Sequence, residues 1–123
     1  MSASFNSVSF APDQLLAGDA DRLKGRKVTI LAGQNLTRGA VLGQVTASGK
    51  YVLSAAGATD GSQAPDLILA EPADATAGDI TAIAYERGDF NQNALVLGAG
   101  HTVASVREGL RGKGIFLFDS VKV

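Results

Sequence analysis

From residue 26 onward the apolar positions fall in short runs divided by glycine-bearing turns, a pattern that predicts strands. Residues 27–31 alternate, with Val28 and Ile30 on one face. Residues 40–46 and 50–53 flank Ser48 and Gly49, which predicts a hairpin. Asp60 and Gly61 mark a sharp turn, since glycine takes positive φ without steric cost. Residues 66–70 run through Leu67, Ile68 and Leu69 without alternating, as a strand covered on both faces does. A further strand is predicted over residues 80–85, ended by Arg87 and Gly88, and two more over 115–118 and 121–123.

One stretch follows the helical period instead. Val103, Val106 and Leu110 stand at i, i+3 and i+7, one stripe of a short helix. Thr102 is placed to cap its start and Gly112 to stop it. Gly109 inside the helix costs about 1 kcal/mol against alanine, so the element needs tertiary support.

Residues 1–25 read differently. Serines dominate residues 2–9, and Phe5, Val8 and Phe10 are isolated apolar points. Val8 and Phe10 alternate with Ser7 and Ser9, which suits an extended strand with too little apolar surface to fold on itself. Such a segment is a frayed terminus or an arm that orders by adding a strand to a partner's sheet edge. The whole reads as mainly β, with one short helix: a β-rich domain over residues 26–123 and an extended N-terminal arm over residues 1–25.

Composition narrows the function. The 123 residues fit one small domain. Eleven basic and twelve acidic side chains give a formal net charge of −1, without the basic excess that nucleic-acid binding draws on. Nothing in the sequence is long and apolar enough to predict a membrane span, and the first residues do not resemble a secretion signal. Cysteine is absent and His101 is the single histidine, so neither a thiolate nor a histidine-based metal site is expected, and no cofactor. Charged residues make up 19%, against roughly 25% in an average domain, which points to surface covered by partners.

Several motifs imitate chemistry. Residues 95–97, Gly98, Gly100, the helix, residues 115–118 and Asp119 trace the outline of a dinucleotide-binding fingerprint. The third glycine position, however, holds Val103, and four residues after Asp119 leave no room for a second half. Asp60, Asp66, Glu71, Asp74 and Asp79 lack the alternate-residue ladder of a calcium loop and read as solvated turn carboxylates. His101 reads as part of the helix start, and the Gly61–Ser62 pair as turn chemistry rather than a self-cleavage site. No nucleophile, base and orienter occur together, so the chain does not read as an enzyme.

Residues 33–46, residues 58–70 with the turn at Thr59, Asp60 and Gly61, and residues 85–90 together resemble the lambda-type head decoration proteins of tailed bacteriophages. That resemblance implies a compact small β-barrel or β-tulip-like fold and a structural virion protein, found in the host cytoplasm during assembly and then on the outer capsid surface. It implies homotrimers that bind the major capsid protein of the expanded shell at three-fold and quasi-three-fold positions and stabilise it. Residues 1–25 would be the capsid-binding arm, with Phe5, Val8 and Phe10 as its contacts, and removing residues 2–20 would leave a folded domain. The alternative is a small glycan- or ligand-binding β-module of a tail or surface assembly, in which Tyr51 and Tyr85 would have to supply the stacking.

Overall fold

Five strands close into a barrel. The structure is a computed structural model that describes residues 15–17 and 23–119. Its elements are β1 (Lys24–Ile30), β2 (Asn35–Leu36), β3 (Val41–Gln44), β4 (Tyr51–Leu53), β5 (Pro65–Leu69), β6 (Ala73–Asp74), β7 (Ile80–Asn91), α1 (Val103–Arg111) and β8 (Ile115–Phe118). The ring runs β1–β4–β3–β5–β7 and returns to β1. Antiparallel pairing of β7 with β1, from Ile80 opposite Ile30 to Arg87 opposite Lys24, closes it and removes the free edges an open sheet would expose. β4 joins β1 in parallel at Tyr51 and Ile30, and forms with β3 the hairpin expected around Ser48 and Gly49. β2 and β6 form a separate two-stranded ladder.

The barrel wall separates two cores. Val28, Ile30, Leu42, Tyr51, Leu67, Leu69, Ala82 and Ala84 fill the inside. Outside, Val41, Ile68 and Phe90 meet Val106 and Leu110 of α1, Ile115 and Leu117 of β8, and Leu15. β5 therefore sends Leu67 and Leu69 inward and Ile68 toward the helix, which is why its sequence is apolar without alternation.

The helix forms where its stripe predicts. Thr102 caps it in a reciprocal box with Ser105, and Val106 and Leu110 are buried. Gly109 has a packing reason: a Cβ there would lie 3.1 Å from the Pro65 ring, so glycine lets α1 approach β5 closely. The end of the helix differs from the expectation. Gly112 stays right-handed as C-cap, and the positive φ falls two residues later, at Gly114 (φ 89°).

Two strand expectations need correction. β7 does not end at Arg87 and Gly88 but continues to Asn91, with Gly88 inside the strand at φ 148°. A Cβ on Gly88 would stand 2.8 Å from Leu23 and 3.2 Å from the Phe90 ring, so this glycine marks a close approach rather than a turn. Residues 95–97 form no strand; Val96 makes a single bridge to Ala40. The nucleotide-like outline thus loses its first strand, and β8 pairs in parallel with β7 instead.

Turn carboxylates tie down the loops. The Ser62 hydroxyl and N–H donate to Asp60, the Thr76 hydroxyl and N–H to Asp74, and Lys50 with the Ala32 N–H to Asp79. These donors hold all three carboxyls below the ordinary aspartate value. A depressed folded pKa supplies stability above the unfolded value, lost as pH falls through the folded one. Urea midpoints are therefore expected to be insensitive to these groups near neutrality and to fall below about pH 4. A decline attributable to them already at pH 6 would contradict the hydrogen bonding.

Candidate functional site

The first surface is built on the last residues of β7. On one edge the Asn91 N–H donates to the Leu15 carbonyl at 2.7 Å, the Ala17 N–H donates to the Asp89 carbonyl at 3.1 Å, and Leu16 stands antiparallel to Phe90. On the other edge β8 runs parallel, from Ile115 beside Gly88 to Phe118 beside Asn91. β7 is thus the middle member of a three-stranded ribbon whose outer members carry Leu16 and Phe118. Both side chains are large, apolar and exposed, at 40% and 49%, on backbones about 10 Å apart. Leu15 is the opposite case, 1% exposed and packed into the outer core.

Residues 15–17 and Lys24 and Gly25 fall within the 1–25 span read as an arm; the first three are seated on the barrel and the last two belong to β1. The arm's candidate contacts Phe5, Val8 and Phe10, like the strand expected over 121–123, lie outside the described residues.

The second surface is one mouth of the barrel. Arg26 continues the inward register of Val28 and Ile30, and Glu86 continues that of Ala82 and Ala84, so the inner face turns from apolar to charged. Glu86 lies 3.6 Å from Arg26 Nε and 3.7 Å from Lys24 Nζ. Arg26 Nη2 donates to the Tyr51 hydroxyl at 2.6 Å, and that hydroxyl donates to Asp66 Oδ2 at 3.1 Å. Lys113 Nζ reaches Asp66 Oδ1 at 2.9 Å. With Leu67 and Arg87 these side chains surround a cleft of about 340 Å³. Burial, and then the Asp66 carboxylate, push the Tyr51 phenol above its ordinary value, with Arg26 opposing. The phenol therefore stays protonated and donates. Sequence reasoning missed this mouth, although Arg26 in step with Val28 and Ile30 was a legible signal.

The motifs that imitate chemistry resolve into packing. His101 Nε2 lies 3.0 Å from the Gln63 carbonyl and 3.1 Å from Ser54 Oγ, and Nδ1 lies 2.9 Å from Ser105 Oγ. A carbonyl only accepts, so Nε2 carries a proton and donates. The Ser54 hydroxyl in turn donates to the Ser62 carbonyl at 2.7 Å, deep in the protein. This is a latch between the helix start and the 54–63 loop, wired opposite to a base drawing a proton from serine. Nor do the tyrosines form a platform. Tyr51 is 2% exposed, and Tyr85 packs against Phe90 and receives a hydrogen bond from Arg38.

Fold and surfaces together define a small closed β-barrel whose outer wall is buttressed by one helix and an N-terminal edge segment. The profile of one family, described as bacteriophage lambda head decoration protein D, matches residues 4–114. The chain belongs to that family: it is a structural phage head decoration protein, associated with the capsid of the virion. Comparison with individually curated proteins returns no match.

Proposed function

We propose that the protein binds the outer surface of the expanded capsid as homotrimers at three-fold and quasi-three-fold positions and stabilises the shell. In this reading the part of residues 1–25 that precedes β1 supplies the capsid-binding arm, with Phe5, Val8 and Phe10 as contacts on the major capsid protein, and the protein passes through the host cytoplasm during assembly. The family match over residues 4–114 carries the proposal. The seat of Leu15, Leu16 and Ala17 on β7 supports it, because it anchors the base of such an arm to the barrel. Three arms joined through one trimer would bind with an avidity on the order of 10²–10⁴ above a single arm, without any new contact.

The test mixes purified protein with expanded and with unexpanded heads and measures bound stoichiometry and the heat resistance of the heads. Binding confined to expanded heads, in multiples of three per site, with a raised disruption temperature, is expected. Equal binding to both forms, or one copy per site, would overturn the proposal.

A further inference from the structure

The barrel mouth concentrates charge that the chain as a whole does not carry. Lys24, Arg26, Arg87 and Lys113 line one cleft against only Asp66 and Glu86, in a protein of net charge −1. The two carboxylates are already shared. Asp66 accepts from Lys113 and from Tyr51, and Glu86 faces both Lys24 and Arg26. Arg87 lines the cleft with no acidic partner among the described residues. Its stem passes close to Gly114, where a Cβ would lie 3.2 Å from Arg87 Cγ. The Arg26 guanidinium stands 6.0 Å from the Tyr51 ring centre, within the range of cation–π attraction. Lys24, Arg26 and Lys113 keep about half of their side-chain surface exposed, so the positive groups remain within reach of a ligand.

We propose that this mouth is a docking site for an acidic segment of a partner polypeptide, a contact separate from the arm. The excess of cations calls for an anion, and an arginine fork suits a carboxylate. The two rim carboxylates select among anions. Asp66 and Glu86 repel a compact phosphate dianion or a phosphodiester backbone, but they accept hydrogen bonds from peptide N–H groups. A polypeptide brings both carboxylates and N–H donors, so it matches the mixed lining where a nucleic acid or a phosphate does not. The cleft is at the small end of the volumes that bind ligands, room for a few side chains rather than a folded domain.

Tyr51 makes the site observable, because its hydroxyl joins Arg26 to Asp66, while Tyr85 bonds Arg38 and packs on Phe90. The full-length chain with ¹³C-labelled tyrosine is titrated with a hexapeptide rich in Asp and Glu, with its Asn/Gln counterpart, and with inorganic phosphate. The acidic peptide is expected to shift the Tyr51 signals and leave Tyr85 in place, and the amide peptide and phosphate at equal concentration to do neither. Arg87→Glu should weaken the acidic peptide at least tenfold and gain affinity for a lysine-bearing peptide, with an unchanged Tyr85 spectrum reporting an intact fold. Arg87→Gln should fall between. An unmoved Tyr51, equal shifts at both tyrosines, a phosphate effect as large as the peptide's, or an Arg87→Glu variant that binds as the parent does would each overturn the proposal. None of these outcomes bears on capsid binding through the arm, so the two readings fail separately.

Discussion

Gly43→Ala is expected to destabilise the domain by about 3 kcal/mol, at the top of the range for overpacking a well-filled site. Gly43 lies in β3 at a register shift, where β3 passes from Leu42 opposite Leu67 to Gly43 opposite Pro65. A Cβ on Gly43 would fall far inside van der Waals contact distance of the Ser62 carbonyl oxygen and crowd the Ser62 backbone. That carbonyl accepts the Ser54 hydroxyl, and its neighbour Gln63 accepts from His101, so the loop cannot retreat without breaking both bonds. Ser54 is fully buried, and a hydroxyl left there without a partner adds about 1–3 kcal/mol to whatever strain remains. Gly57 and Gly78 are the controls. A Cβ at either meets nothing within 4 Å, so Gly57→Ala and Gly78→Ala should stay within about 0.5 kcal/mol of the parent. Urea unfolding of the three variants checks this. A Gly43→Ala variant within 1 kcal/mol of the controls would mean that the 54–63 loop does not press on β3.

The same pairs of residues show what the sequence made legible. Leu67, Ile68 and Leu69 announce a strand between two apolar layers, because burial on both faces erases the alternation that one-sided burial imposes. Thr102 and the Val106–Leu110 stripe announce the helix, because caps and periodicity are local properties. Glycine is where local reasoning fails. Gly61 (φ 102°) sits in the expected turn, yet Gly88 continues a strand, and what separates them is tertiary. Thr46 presses on Gly61, whereas Leu23 and the Phe90 ring press on Gly88. Ile83, Ala84 and Tyr85 look the same in sequence whichever follows.

Of the charged mouth only Arg26, in step with Val28 and Ile30, was legible, for a related reason. Arg26, Tyr51, Asp66, Glu86 and Lys113 come from four strands and a loop, and only closure of the ring brings them together. On the helix, Gly109 looks like a defect until Pro65 is seen against it. The arm's contacts were legible only as a spacing of Phe5, Val8 and Phe10 and through the family resemblance, since their meaning depends on a partner surface.

Cutting the chain before Leu15 is expected to separate capsid binding from stability. Removing residues 2–20, the deletion expected from the sequence to leave the domain folded, would confound the two. Leu15 is a core residue, 1% exposed against Val41, Phe90, Leu110 and their neighbours, and its carbonyl accepts from the Asn91 N–H. Losing that side chain should cost about 2–5 kcal/mol, the usual range for emptying a buried leucine site, with the ladder contacts of Leu16 and Ala17 lost as well. Removal of residues 2–14 spares all of these contacts. That truncation is expected to unfold within about 1 kcal/mol of the full chain in urea and to lose at least a hundredfold in affinity for expanded heads. Removal of residues 2–17 should lose the same affinity and, in addition, the stability of the Leu15 site. The intermediate variant Leu15→Ala in the full chain then isolates the packing: it should be destabilised yet still bind heads at temperatures where it is folded. Full decoration by the 2–14 truncation would reject the arm as the capsid contact. Equal stability of the two truncations would show that the seat on β7 only guides the chain, without holding the outer core together.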